Sequence, residues 1–191
     1  MEIMEIINLG ADLLQTTIGI SEAMSKLSPH RQCIIHIINL TKCYVLQNPR
    51  IYLCRGRCVD PPPPIILPSS SGSAAFAKTP RTGRGFFGVF KYDLLNRSTQ
   101  KATEQVAVLF RVPHNIRLKA NEFAVGVFDI SRECNSHLYT EMSTKVDTTF
   151  IKGQAKGPSL THTGQNVTIR ATMSDCSAPV IKVHMSNRDE M

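Results

Sequence analysis

The chain has 191 residues and 42% of them are hydrophobic, enough for one sizeable domain with its own core and too many for a disordered chain. Lysine and arginine outnumber aspartate and glutamate by 22 to 15, a net charge of +7, which favours anionic partners such as nucleic acid, phospholipid headgroups or acidic proteins. No run of about 18 apolar residues occurs, so no constitutive transmembrane helix is expected.

Residues 1–28 come first in chain order. Ile3, Ile7, Leu14 and Ile18 fall on one side of a helical wheel, with Glu5, Asn8, Asp12 and Gln15 on the other. The pattern predicts an amphipathic helix that ends before Ser28-Pro29, because proline disfavours helix at the preceding residue. A helix packed on the body through its apolar side accounts for this periodicity. The opening "MEIMEIINLGADLL" places acids where a secretory signal needs basic residues, so export by the ordinary route is not expected.

Beyond residue 30 the pattern turns to β. "QCIIHIINL" is short, apolar and β-branched, as a buried strand should be. "RIYLC" alternates; "GFFGVFKYDL" gathers Phe86, Phe90 and Tyr92 on one side; "QVAVLFRV" gathers Val106, Val108, Phe110 and Val112. "EFAVGVF", "NVTIRATM" and "PVIKVHM" follow, and about seven such strands separated by turns predict a β-sandwich or barrel. "DPPPPIILPSSSGS" reads as a stiff extended connection rather than a strand, since proline lacks a ladder donor. "NSHLYTEMSTK", residues 135–145, reads as a short helix capped by Asn135 or Ser136.

Chemistry-bearing motifs are sparse. Phosphate-cradling glycine loops, a nucleophile elbow, a catalytic triad and paired carboxylates are all missing, so no enzymatic activity and no cofactor are expected. His30, Cys33, His36 and Cys43 are a poor zinc set, because Cys33 and His36 stand at odd separation in one strand and point to opposite faces; no metal is expected. The six cysteines are loosely spaced and are expected as free thiols. The aromatic and basic interleaving of RNA-binding sheets is absent, so nucleic acid is not the expected partner. The basic stretch between Val112 and Phe123 reads either as a solvated rim or as a surface for anions.

The order "GFFGVFKYDL", "AVLFRVPHN", "NEFAVGVFDISRECNSHLYTEM" and "APVIKVHMS" resembles the actinoporin family, the pore-forming cytolysins of sea anemones. "NPRIY" before a Cys and a proline run is similar to the fish-type vertebrate branch; the resemblance spans roughly residues 30–186 and more loosely the helix before them. It implies a mainly β fold, a compact two-sheet sandwich with a helix on each flank, divided into an inserting helix and hinge at 1–29 and a sandwich at 30–191. It further implies a monomer in solution that docks on phosphocholine-bearing membranes, especially those with sphingomyelin, and homo-oligomerises there into a cation-selective pore. Glu2, Glu5, Asp12 and Glu22 would line that pore, and Ser28, Pro29 and His30 would form the hinge. Location is implied as secreted or at a target-cell membrane; no ordinary signal peptide is visible, so storage in the cytoplasm is the alternative.

The family holds choline in an aromatic pocket. Here Arg55, Phe87, Arg111, Pro113, His114, Lys119, Tyr139, Ser143 and Thr144 occupy the matching positions. Only Tyr139 keeps a pocket tyrosine, Pro113 matches, and Leu118 stands where a tryptophan anchors the interface. Ile116, Arg117, Leu118 and Phe123 are expected on the membrane-facing loop. Replacing rings by cations exchanges attraction for choline for attraction to phosphate, which predicts anionic lipid. The alternative on the same fold is a non-lytic lipid- or carbohydrate-binding module, similar to the related fungal fruit-body lectins.

Overall fold

The computed structural model describes residues 31–188; the amphipathic segment, its acids Glu2, Glu5, Asp12 and Glu22, and the hinge Ser28, Pro29 and His30 lie outside the described residues. Among the described residues twelve strands form two six-stranded sheets. The first sheet runs β10 (Leu160–Thr163), β11 (Val167–Met173), β12 (Val180–Asn187), β1 (Gln32–Asn39), β5 (Ser70–Ala77) and β3 (Arg57–Asp60). The second runs β4 (Ile65–Ile66), β2 (Tyr44–Arg55), β6 (Phe86–Asn96), β7 (Lys101–Val112), β8 (Glu122–Asp129) and β9 (Phe150–Gln154). β1 and β12 pair in parallel, and the other pairings are antiparallel. The fold is the expected mainly β sandwich.

Strand alternation dictates the core. Cys33, Ile35 and Ile37 of β1, Phe86, Phe90 and Tyr92 of β6, and Val106, Val108, Phe110 and Val112 of β7 all face the space between the sheets. Phe76 stacks on Phe110 with ring centroids 4.5 Å apart. His36 points to the other face of β1 from Cys33, as the odd spacing requires. Among the described residues no three metal-ligating side chains cluster, and the cysteines are free.

The outer face of the second sheet carries its own packing. The helix α1 (Ser136–Thr144) lies there, its first turn capped by Asn135, whose side-chain oxygen accepts from the His137 and Leu138 amides. Leu138 and Met142 bury against Val89, Ala107, Leu109 and Ala124. The small residues Ala107 and Ala124 leave the depression that seats the helix, and Gly126 lets β9 approach β8. At Gly126 an added Cβ would meet the Thr149 carbonyl oxygen at 2.5 Å and the Phe150 Cβ at 2.6 Å.

Two sequence expectations need correction. The serine-rich end of the proline connection is not loop: Ser70–Ala77 forms β5, hydrogen-bonded to β1 on one side and β3 on the other. Small residues are needed there, since a Cβ on Gly72 would meet Pro63 at 2.5 Å and Ile66 at 2.8 Å. The proline run is fastened by the Tyr92 hydroxyl, which donates to the Pro63 carbonyl at 2.6 Å. Second, Phe123 is not on the membrane-facing loop. It is the second residue of β8, 1% exposed in the inter-sheet core opposite Phe110.

Candidate functional site

Register assembles the site. Across the second sheet Arg55 of β2 stands beside Phe87 of β6, Phe87 beside Arg111 of β7, Arg111 beside Glu122 of β8, and Glu122 beside Gln154 of β9. These five residues form one cross-strand row on the face that carries α1. The next row, Tyr52, Val89, Leu109, Ala124 and Lys152, is mostly apolar and underlies the helix. The polar row therefore marks where helix cover ends and solvent begins.

Within the row the contacts are specific. The Arg55 and Arg111 guanidinium carbons lie 5.9 Å and 5.5 Å from the centre of the Phe87 ring, within reach of cation–π attraction. Arg111 Nη1 donates to Glu122 Oε2 at 2.7 Å, a charge-assisted bond between side chains only 24% and 28% exposed. From α1 the Tyr139 hydroxyl meets Arg111, and its ring sits 6.3 Å from that of Tyr52. Burial pushes the Tyr139 phenol above its ordinary pKa, and the Arg111 charge pulls the other way. Tyr139 therefore stays neutral and able to donate.

Beside the row opens a cavity of about 230 Å³ between α1 and β7–β9. Leu109 and Met142 supply its apolar lining, and Arg111, Glu122, Ser143 and Lys152 its polar one. Ser143 and Thr144 each donate their hydroxyl to the Thr140 carbonyl, at 3.0 Å and 2.7 Å. These short side chains are spent on their own helix and do not replace the rings the family resemblance would put there.

The β7–β8 connection extends beyond the row. Asn115 organises it: its carbonyl accepts from the Leu118 and Lys119 amides, and its side chain accepts from the Arg117 amide at 3.0 Å. His114, Arg117 and Lys119 are exposed and Ile116 is half-buried, while Leu118 is 86% exposed. Pro113 is buried at the base, and its carbonyl accepts from Arg31 Nη1 at 2.6 Å. Asn121 closes the far side of the loop by donating to the Cys176 carbonyl at 2.9 Å.

Of the residues expected from sequence, the structure brings together Arg55, Phe87, Arg111, Tyr139 and Ser143. His114, Lys119 and Thr144 stand exposed outside that group. Glu122, Lys152, Gln154 and Tyr52 were not anticipated. The hairpin itself holds the signal for Glu122: once Phe110 is set opposite Phe123, Arg111 must face Glu122.

No family model matches the chain, and no curated protein does. Among solved structures, that of the lipid-binding protein Nakanori overlays with a TM-score of 0.68 at 12% identity, covering 90% of this chain and 79% of that one. IP-1A from Alcaligenes faecalis gives a TM-score of 0.44 at 11% identity, over 84% of this chain and 94% of that one. The wild-type Xerocomus chrysenteron lectin gives 0.44 at 11% identity, over 81% and 99%. The last two scores are too low to carry an argument. At 12% identity the first shows a shared sandwich fold and nothing finer.

Proposed function

We infer that the protein is a membrane-lipid-binding module whose contact end is the β7–β8 loop together with the Arg55–Phe87–Arg111 row. One observation carries the reading: a nearly fully exposed leucine, Leu118, stands between the exposed cations Arg117 and Lys119, on a hairpin whose Arg111, with Arg55 of β2, flanks the Phe87 ring of β6. An exposed apolar tip flanked by basic residues suits the boundary between acyl chains and anionic headgroups. Each basic residue near an anionic leaflet contributes about 1 kcal/mol. The sandwich shared with a lipid-binding protein supports the same direction.

Arg111 occupies the centre of the row and repels a quaternary ammonium, so anionic vesicles are preferred over phosphatidylcholine or sphingomyelin. Pore formation by residues 1–29 is the further step that the actinoporin resemblance implies. Vesicle sedimentation and dye release test both. Binding that rises with phosphatidylserine and falls with salt supports the lipid reading; tight, salt-independent binding confined to sphingomyelin contradicts it. Dye release that disappears on deleting residues 1–28, with binding retained, supports the pore; release unchanged by that deletion rules it out. A non-lytic module binds but releases no dye in either form.

A further inference from the structure

A simple anion trap has no use for Glu122. The carboxylate nevertheless stands next to Arg111 in the row, bonded to it at 2.7 Å, and it lines the 230 Å³ cavity beside α1. On the far side of that cavity is Lys152, whose Nζ donates to the Ser143 carbonyl at the last turn of the helix, 3.2 Å away. Two cations and one carboxylate leave the lining with a single surplus positive charge. The Arg111 Nε–H is buried and meets no acceptor, so the guanidinium turns its Nη edge to Glu122.

We propose that this cavity takes one phosphodiester, the monoanionic linkage of a glycerophospholipid headgroup, and that Glu122 sets the charge it accepts. The proposal rests on the lipid reading above and names its ligand class. A phosphodiester carries one negative charge near neutral pH and matches the surplus. A phosphomonoester, whose second pKa lies near 6, carries almost two, and the second meets the Glu122 carboxylate uncompensated. Glu122 also orients the guanidinium. Held by the carboxylate on one side and the Phe87 face on the other, Arg111 needs little reordering when phosphate arrives. The apolar lining of Leu109 and Met142 offers no partner to a second charged group, so the remainder of the headgroup points outward along Ser143 and Gln154.

Calorimetric titration of the full chain with short-chain lipids below their micellar concentration decides the matter. Dihexanoyl phosphatidylglycerol is the diester and dihexanoyl phosphatidic acid the monoester, at about pH 8 so that the monoester is nearly doubly charged. The intact chain should bind the diester about tenfold more tightly, the effect of one unscreened charge at the cavity's distance. Glu122→Gln should abolish or invert that ratio, Glu122→Asp should retain it, and Lys152→Gln, at an exposed position, should weaken both ligands without moving the melting temperature. A wild-type chain with no diester preference overturns the proposal. So does a folded E122Q protein with an unchanged ratio, which would reduce the Arg111–Glu122 pair to an ordinary cross-strand ion pair. Vesicle binding is measured separately: full binding to phosphatidylglycerol vesicles with a flat short-chain ratio sinks this inference alone, whereas absence of vesicle binding sinks the lipid reading itself.

Discussion

Arg117, Leu118 and Lys119 make the most direct residue-level test, because all three are exposed and none carries the fold. Arg117→Gln and Lys119→Gln should each weaken binding to anionic vesicles about fivefold, and should shallow its salt dependence. Leu118→Ala should weaken binding further with no change in melting temperature. Lys91 is the opposite case. It is 2% exposed on β6, and its ammonium donates to Gln105 Oε1 and the Arg132 carbonyl. Lys91→Met should cost about 1–3 kcal/mol in denaturant unfolding, since Gln105 Oε1 loses its donor in a buried setting while the Arg132 carbonyl keeps Gln105 Nε2. The sequence made the cations of the loop visible but not their arrangement. His114 and Lys119, placed by alignment in a ring-lined pocket, stand outside it, while Glu122 inside it carries no motif. A charged residue gains its meaning from the strand opposite, and one-dimensional spacing does not display that neighbour until register is fixed.

At the scale of elements, α1 depends on what lies beneath it. Gly126→Val should cost about 1–3 kcal/mol by forcing β9 and its Phe150 away from β8. Tyr139 and Ser143 should then leave the Arg111 row, so lipid binding should fall together with stability, read by thermal melt and vesicle sedimentation on one preparation. Asn135→Ala should cost about 1 kcal/mol through the lost cap and little else. This helix was legible in advance because its cap and its periodicity agree. The strands β6, β7 and β8 were legible because large apolar residues alternate along them. β5 was not: serine, glycine and alanine have weak strand preference, and what makes them a strand is the closeness of β1, β3, Pro63 and Ile66, which only the folded chain supplies.

For the molecule as a whole, buried titratable groups predict how stability follows pH. His36, His162 and His184 all have lowered pKa values, each chiefly through burial, with Lys182 adding to the effect at His36 and His184. The unfolded chain therefore takes up protons first as pH falls below about 6.5. Stability should decline from there down to the folded-state values and be greatest above that window, measured as melting temperature between about pH 7 and 5. His162→Gln and His184→Gln should flatten the profile. Thiol reactivity should divide the cysteines in the same way: Cys54 and Cys176, both exposed, should be alkylated in the native state, while Cys33, buried and with its thiol pushed upward by burial, should react only on unfolding.

The parallel bond between β1 and β12 has a consequence for biogenesis. β1 is flanked in its sheet by β5 and by β12, and β12 comes from the opposite end of the described chain. A ribosome exposes β1 long before it has made the strand that completes it. Until translation reaches Asn187, one side of β1 offers bare amides and carbonyls to any passing partner, the condition under which extended chains stick to one another. Maturation should thus be a late, single event of high contact order, slow beside that of helical proteins, and polypeptides terminated ahead of Val180 should accumulate as aggregates rather than as partly folded, lipid-competent fragments.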